Sequence, residues 1–142
     1  MTLVSGTEQK PALWVMEIWV DPEWYRLQKP PDSLPTPSEP QLVGVRQGRL
    51  TVGRRSPDGV PDIDCGADSG VSRLQAIITS DGKRWFISDP GSVNGTYCAQ
   101  VDEPLPTRPI TGKVQLTEHT RVYVGSWTRL VLRPALEAES AL

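Results

Sequence analysis

Three short clusters in this chain of 142 residues combine arginine, serine or asparagine with glycine. They are Gly53-Arg54-Arg55, Ser72-Arg73-Leu74-Gln75-Ala76 and the run from Asp89 to Thr96. Arginine carries a planar fork of donors that meets a phosphate bidentately, and a serine hydroxyl can add a neutral donor. The Asn-Gly step in the third cluster supplies a turn with positive φ. Each cluster alone is also typical of an ordinary turn, so only the three clusters together indicate a binding site.

Each cluster lies at the end of a predicted strand. From Leu42 onward, short apolar runs alternate with turn residues, and the chain holds 14 Pro and 12 Gly. Asp81-Gly82 stands between two such runs and predicts a hairpin. The pattern is typical of an all-β sandwich or barrel. The predicted strands are Leu50 to Val52, Leu74 to Thr79, Arg84 to Ser88, Thr96 to Cys98, Val114 to Leu116, Arg121 to Val124 and Trp127 to Leu132.

The segment before Leu42 has a different composition. Leu13 to Val20 is β-branched and aromatic, which predicts a further strand. Its even-numbered residues from Trp14 to Val20 share one face, and its odd-numbered residues from Leu13 to Trp19 share the other. Lys29 to Pro40 contains five prolines, which predicts an extended connection over the surface. No helix is predicted, apart from a weak turn in the tail from Ala135 to Leu142.

Composition excludes several functions. Hydrophobic residues make up 37% and charged residues 23%, as in a soluble globular domain. The net charge of −2 argues against general nucleic-acid binding but leaves room for one basic pocket. Cys65, Cys98 and His119 form no zinc pattern, so no metal or cofactor is expected. No apolar run approaches membrane-spanning length and residues 1–10 lack the apolar core of a signal peptide, so we expect a cytoplasmic protein.

In their order and spacing the three clusters resemble the forkhead-associated (FHA) domain family. That family shows Gly-Arg, then Ser-Arg-x-His, then Asp-x-x-Ser-x-Asn-Gly-Thr, and a glycine ahead of the last strand. This chain has Gly53-Arg54, Ser72 to Gln75, Asp89 to Thr96, and Gly125. The resemblance covers roughly residues 42–133. It implies an FHA-like β-sandwich of two twisted, mostly antiparallel sheets with about eleven strands, preceded by an extra N-terminal strand.

The resemblance also implies residue roles. Arg54 and Ser72 would contact the phosphate of a phosphothreonine peptide, and Arg73 would add a cationic contact. Asn94 would bind the peptide backbone, and Val93 would help to shape the phosphothreonine pocket. The residues expected to be structural are Gly53, Gln75, Asp89, Ser92, Gly95, Thr96 and Gly125. Gln75 stands where the family usually has an architectural His.

We therefore expect a phosphothreonine-dependent protein-binding module in Ser/Thr kinase signalling, with no enzymatic activity. Its partner would be a threonine-phosphorylated protein, such as a kinase or its substrate. The expected divisions are a flexible N-terminus at 1–11, a packed strand and connection at 12–41, the core at 42–133 and a flexible tail at 134–142. The Trp-rich strand followed by a Pro-rich connection resembles the FHA regions of some actinobacterial proteins, which favours a bacterial setting.

Two alternatives remain. An enzyme could pair Ser72 or Ser92 with His119, but no nucleophile elbow is present. The stronger alternative is a phospho-independent scaffolding sandwich that has lost phosphopeptide binding. Gln75 favours that alternative, and exposed aromatic side chains of the leading segment would provide its partner surface. The presence of Arg54, Ser72, Arg73 and Asn94 together favours the first interpretation. The aromatic residues concerned are Trp14, Trp19, Trp24 and Tyr25.

Overall fold

The computed structural model describes residues 13–36, 38–46 and 48–142, so the expected flexible segment 1–11 lies outside the described residues. The leading strand, β1, spans Trp14–Val20, within the predicted Leu13 to Val20. Its alternation also follows the prediction, because Met16 lies in the hydrophobic core with Trp14 and Ile18 packed against that core. Side chains two apart on a strand share a face, so Glu17 and Trp19 lie on the opposite face of the sheet.

Two sheets of five strands form a sandwich in the described part of the chain. The first has the order β2-β1-β10-β9-β7 and the second β4-β3-β5-β6-β8. All described strand pairs are antiparallel except β3 with β4. This is the expected all-β sandwich, with ten described strands against the expected eleven or so. The strands after β1 are β2 Gln41–Val45, β3 Arg49–Gly53, β4 Ile63–Asp64, β5 Ala76–Ser80, β6 Trp85–Ser88, β7 Thr96–Gln100, β8 Val114–Leu116, β9 Thr120–Val124 and β10 Thr128–Pro134.

The strand register places the loops that carry the three sequence clusters at one end of the sandwich. Val52 near the end of β3 pairs with Ala76 at the start of β5, and Ile77 pairs with Ser88 at the end of β6. In the other sheet, Thr96 at the start of β7 pairs with Val124 at the end of β9. The connections after β3, β4, β6 and β9 therefore emerge at the same end. The predicted Asp81-Gly82 hairpin joins β5 to β6 at the opposite end.

A short helix, α1 at Pro22–Gln28, corrects the prediction that this region has no helix. The Asp21 side chain caps it by accepting the Trp24 N–H at 3.0 Å, and Pro22 occupies the first turn. Seven residues are too few for a helical period to show in the sequence. Tertiary packing stabilises the helix instead, because the Trp24 ring lies 5.0 Å from both Tyr97 and Tyr123.

The predicted turn in the tail is a 3-10 helix at Glu137–Glu139. Arg133 reaches from β10 to the Glu139 carboxylate at 2.8 Å and to Glu17 on β1 at 2.6 Å. Hydrogen bonding to Arg133 lowers the pKa of Glu139 to about 2. No helix among the described residues is long and apolar enough to cross a membrane.

Candidate functional site

The second and third sequence clusters contact each other directly at the site end of the sandwich. Ser72 Oγ accepts the backbone N–H of Val93 at 3.0 Å. Asn94 Nδ2 donates to the carbonyl oxygen of Gly70 at 2.9 Å. Ser72 Oγ is the acceptor in this bond, so its own hydroxyl proton takes no part in it and is available for donation to a ligand. The two contacts fix the distance between the loops that carry Ser72 and Asn94.

The first cluster joins the same end through Arg54 and Gly53. The Arg54 Nε donates to the carbonyl oxygen of Val71, which directly precedes Ser72. Gly53 is buried, and a Cβ there would lie 1.9 Å from the carbonyl oxygen of Arg73. A side chain at residue 53 would therefore separate the two loops. Arg54 is half-buried and lines a groove of about 270 Å³ that Arg73 also lines.

Gln75 connects all these loops from inside. Its side chain is fully buried, at 0% exposure. The Oε1 atom accepts the N–H of Ser72 at 2.9 Å, and Nε2 donates to Gly95 O at 2.9 Å and to Thr96 Oγ1 at 3.0 Å. Both amide hydrogens and the amide oxygen are thus in use. The position where the family usually has His therefore holds a side chain that ties the Ser72 loop to the Asn94 loop.

Asp89 organises the turn that presents Asn94. One carboxylate oxygen accepts the N–H groups of Gly91 at 2.8 Å and Ser92 at 2.7 Å, and the other accepts the hydroxyls of Ser92 at 2.5 Å and Thr96 at 2.9 Å. Burial raises the pKa of Asp89, but these hydrogen bonds outweigh it and hold the pKa below 3.8. Ser92 Oγ in turn accepts the N–H of Gly95 at 3.0 Å. The turn is therefore built before any ligand arrives.

A family comparison agrees with this arrangement. The sequence model of the FHA domain matches residues 50–125, just over half of the chain. The chain belongs to the FHA domain family. Comparison with curated proteins by sequence found no match.

Solved structures share the fold at low sequence identity. The FHA domain of CT664 from Chlamydia trachomatis has a TM-score of 0.61 at 20% identity, over 88% of this chain and 100% of that one. The kinase-interacting FHA domain of the kinase associated protein phosphatase of Arabidopsis has a TM-score of 0.57 at 21% identity, over 91% and 100%. Mycobacterium tuberculosis EmbR, in complex with a low affinity phosphopeptide, has a TM-score of 0.56 at 19% identity, over 94% of this chain and 27% of that one.

Asp68 is a structural residue of this FHA domain that sequence reasoning missed. Its side chain is fully buried and accepts the N–H groups of Gly70, Ser126 and Trp127 at 2.9–3.1 Å and the Thr128 hydroxyl at 2.7 Å. These bonds join the loop before Ser72 to the turn between β9 and β10. The only local signal is an Asp in a Gly-rich turn, which does not reveal partners nearly 60 residues away.

Gly125 packs against this carboxylate, as its place in the family motif implies. It has φ +61, and a Cβ there would lie 2.6 Å from Asp68 Oδ2. Its carbonyl oxygen accepts the indole N–H of Trp24 at 3.0 Å. Further along the leading segment, the Asp32 carboxylate accepts the Ser69 hydroxyl. The leading segment therefore contacts the loop that presents Ser72 and the turn between β9 and β10.

The outer surface of the site combines exposed polar and charged groups with exposed apolar side chains. Arg73 is 66% exposed, and its single ion pair, to Asp58 at 3.9 Å, is too exposed to hold it strongly. Val93 is 86% exposed, and Asn94 is also exposed. Together with Arg54 and the Ser72 hydroxyl, these groups offer donors and positive charge to an anion.

Groups suited to covalent or metal chemistry lie elsewhere or are unreactive. His119 lies at the other end of the sandwich, between β8 and β9. Burial raises the pKa of both Cys65 and Cys98 to about 12, so these thiols stay protonated at neutral pH. No group of three or more metal-ligating side chains occurs in the described ranges.

Proposed function

We propose that this FHA domain binds threonine-phosphorylated proteins in Ser/Thr kinase signalling and does so without catalysis. The observation that carries the proposal is the meeting of Arg54, the free proton of Ser72 and Asn94 on three loops tied together by Gln75 and neighbouring contacts. A phosphothreonine brings about −1.5 to −2 charge and three acceptor oxygens at neutral pH. Two arginines and the Ser72 hydroxyl offer donors here, against one exposed carboxylate, that of Asp58, so the arrangement suits binding of an anion.

Each residue has a defined part in this proposal. The half-buried Arg54 offers its guanidinium to the phosphate, while its Nε bond to Val71 restricts its rotamers. Ser72 donates its hydroxyl proton, and Arg73 supplies a second, more exposed cation from the rim. Asn94 hydrogen-bonds the peptide backbone, and Val93 offers a methyl-bearing surface beside the phosphothreonine methyl group.

Related structures support the same function. One solved relative at 18% identity and a TM-score of 0.53 is described as phosphothreonine-dependent in its FHA domain interactions. The EmbR structure contains a phosphopeptide, and the Arabidopsis domain is described as kinase-interacting. A cytoplasmic bacterial kinase network is the proposed setting, on the resemblance of the Trp-rich leading strand to actinobacterial FHA regions.

The phospho-independent scaffold has less support. The sequence argument for the scaffold was Gln75 in place of the usual His. In the structure, however, Gln75 hydrogen-bonds the Ser72 N–H and also Gly95 and Thr96, which directly follow Asn94. The aromatic partner surface is also weak, because Trp24 is buried and the other three aromatic side chains of the leading segment are half-buried.

The test is peptide binding by calorimetry or fluorescence polarisation. A degenerate phosphothreonine library is compared with its unphosphorylated form, using wild type, Arg54→Ala and the control Arg84→Ala from the opposite end. We expect phosphate-dependent binding that Arg54→Ala weakens about ten- to a hundredfold, the value of one charge-assisted bond. Arg84→Ala should leave it unchanged. Equal binding of both libraries would support the scaffold instead.

A further inference from the structure

Exposed apolar side chains concentrate around the phosphate-facing residues. Among the described residues, seven large apolar side chains are exposed, and three of them lie on the loops of this site. They are Val60 at 61%, Leu74 at 44% and Val93 at 86%. Single exposed apolar residues are ordinary, whereas several on one functional surface mark an interaction site.

Val60 and Leu74 line the groove that contains Arg54 and Arg73. The groove has a volume of about 270 Å³, and Pro61 forms part of its wall. This is below the range of about 300–1,000 Å³ typical of small-molecule pockets. It suits one side chain of a bound peptide rather than a separate small ligand. Because both arginines border the groove, a peptide whose phosphate meets them also passes over Val60 and Leu74.

The wall of the groove is preformed. Ser56 and Gly59 exchange two backbone hydrogen bonds of 3.0 Å each, which close a tight turn directly before Val60. Behind it, the Asp62 carboxylate accepts the Thr51 N–H at 2.8 Å. Binding of a side chain here therefore costs little free energy for ordering the loop.

The cavity on the other side of the site has a different chemistry. It measures about 290 Å³ and is bordered by Asn94, Lys29, Asp32 and Ser126. Its border holds charged and hydroxyl groups beside two prolines, whereas the groove beside Arg73 has exposed aliphatic side chains next to its charged groups. The two flanks of a bound peptide would meet unlike surfaces.

We propose that Val60, Pro61 and Leu74 form a subsite for an aliphatic side chain of the peptide, close to the phosphothreonine and on the Arg73 side. The inference rests on the proposed phosphopeptide function and adds a sequence preference to it. The exposed valine and leucine bury apolar surface only when such a side chain covers them.

The test uses phosphothreonine peptides in which about three positions on each side carry either leucine, isoleucine and valine or serine and asparagine. We expect one position to favour aliphatic residues about three- to tenfold, as partial burial of one side chain allows. Val60→Ser and Leu74→Ser should abolish that preference and leave binding of the polar-flanked peptide within about twofold. Val101→Ser, a change at another exposed valine (53%) at the far end, should keep the preference.

The outcomes separate the two proposals. Phosphate-dependent binding with no aliphatic preference, or a preference that survives both serine variants, would overturn the subsite alone. Absence of phosphate-dependent binding by the folded wild type would overturn the phosphopeptide function and the subsite together.

Discussion

The site end of the sandwich has an inner and an outer layer that use polar groups in opposite ways. In the inner layer, Asp68 and Gln75 are fully buried, and each makes at least three hydrogen bonds, of which at least two reach loops distant in sequence. In the outer layer, Arg73 and Asn94 are exposed, and the Ser72 hydroxyl has a proton available to donate to a ligand. The inner layer fixes the loops, and the outer layer remains available to a ligand. Substitutions should therefore separate stability from binding.

The largest expected effect is on stability, from Asp68→Ala. The change leaves the N–H groups of Gly70, Ser126 and Trp127 without their acceptor in a buried place, at a cost of about 3–5 kcal/mol. Denaturant unfolding measures it. The matched control is Asp58→Ala, whose side chain is 89% exposed and which should change stability by less than about 0.5 kcal/mol. Similar losses of unfolding free energy in the two variants would contradict the stabilising role assigned to Asp68.

Gln75→Leu should cost about 2–4 kcal/mol, because it keeps the volume but removes three buried hydrogen bonds. It should also weaken phosphopeptide binding in the folded fraction, since the Ser72 N–H loses its acceptor. Gln75→His offers one acceptor and one donor and should recover part of both losses. Unfolding and calorimetry of the two variants measure this. A Gln75→Leu variant with unchanged affinity would separate Gln75 from the positioning of Ser72.

In the outer layer, Arg73→Ala should weaken phosphopeptide binding about three- to tenfold, less than Arg54→Ala, because Arg73 is more exposed and more hydrated. Its free energy of unfolding should stay within about 0.5 kcal/mol of wild type. The affinity of the two arginine variants is compared by fluorescence polarisation at one salt concentration. A larger effect for Arg73→Ala would reverse the assigned order of the two arginines.

The smallest effect concerns pH. The pKa of Asp89 is lower in the folded protein than its ordinary value of 3.8, so its ionised form stabilises the fold. That contribution is complete above pH 3.8 and is lost as the pH falls through the folded pKa. Unfolding of wild type and Asp89→Asn between about pH 5 and 2 should show a smaller pH dependence in the variant. Parallel curves would contradict the role of the Asp89 hydrogen bonds.

Much of the fold follows from local sequence signals. β-branched and aromatic composition located β1, short apolar runs between turn residues located most later strands, and Asp81-Gly82 located the hairpin between β5 and β6. These features depend on neighbouring residues, so a single sequence is sufficient to predict them. The sequence was also sufficient to predict membership of the FHA family, because each of the three motifs is a short continuous run of residues.

The missed features depend on distant partners. Asp21 caps α1 in the structure, but the helix is held by Trp24 against Tyr97 and Tyr123, some 70 to 100 residues away. Strand β4 has two residues, too few for a pattern. The burial of Asp68 and the contact of Asp32 with Ser69 depend on loops that meet only in the fold. Side-chain packing, rather than local preference, determines these features.

The most direct test of the account maps amide chemical shifts while the tightest-binding phosphothreonine peptide is added, with its unphosphorylated form as control. The account predicts phosphate-dependent shifts at residues 54–60, 70–75 and 92–95, and none at residues 80–84 and 117–119 at the far end. Shifts that concentrate at the far end, or that are the same for both peptides, would contradict the claim that the loops tied by Gln75 read phosphothreonine.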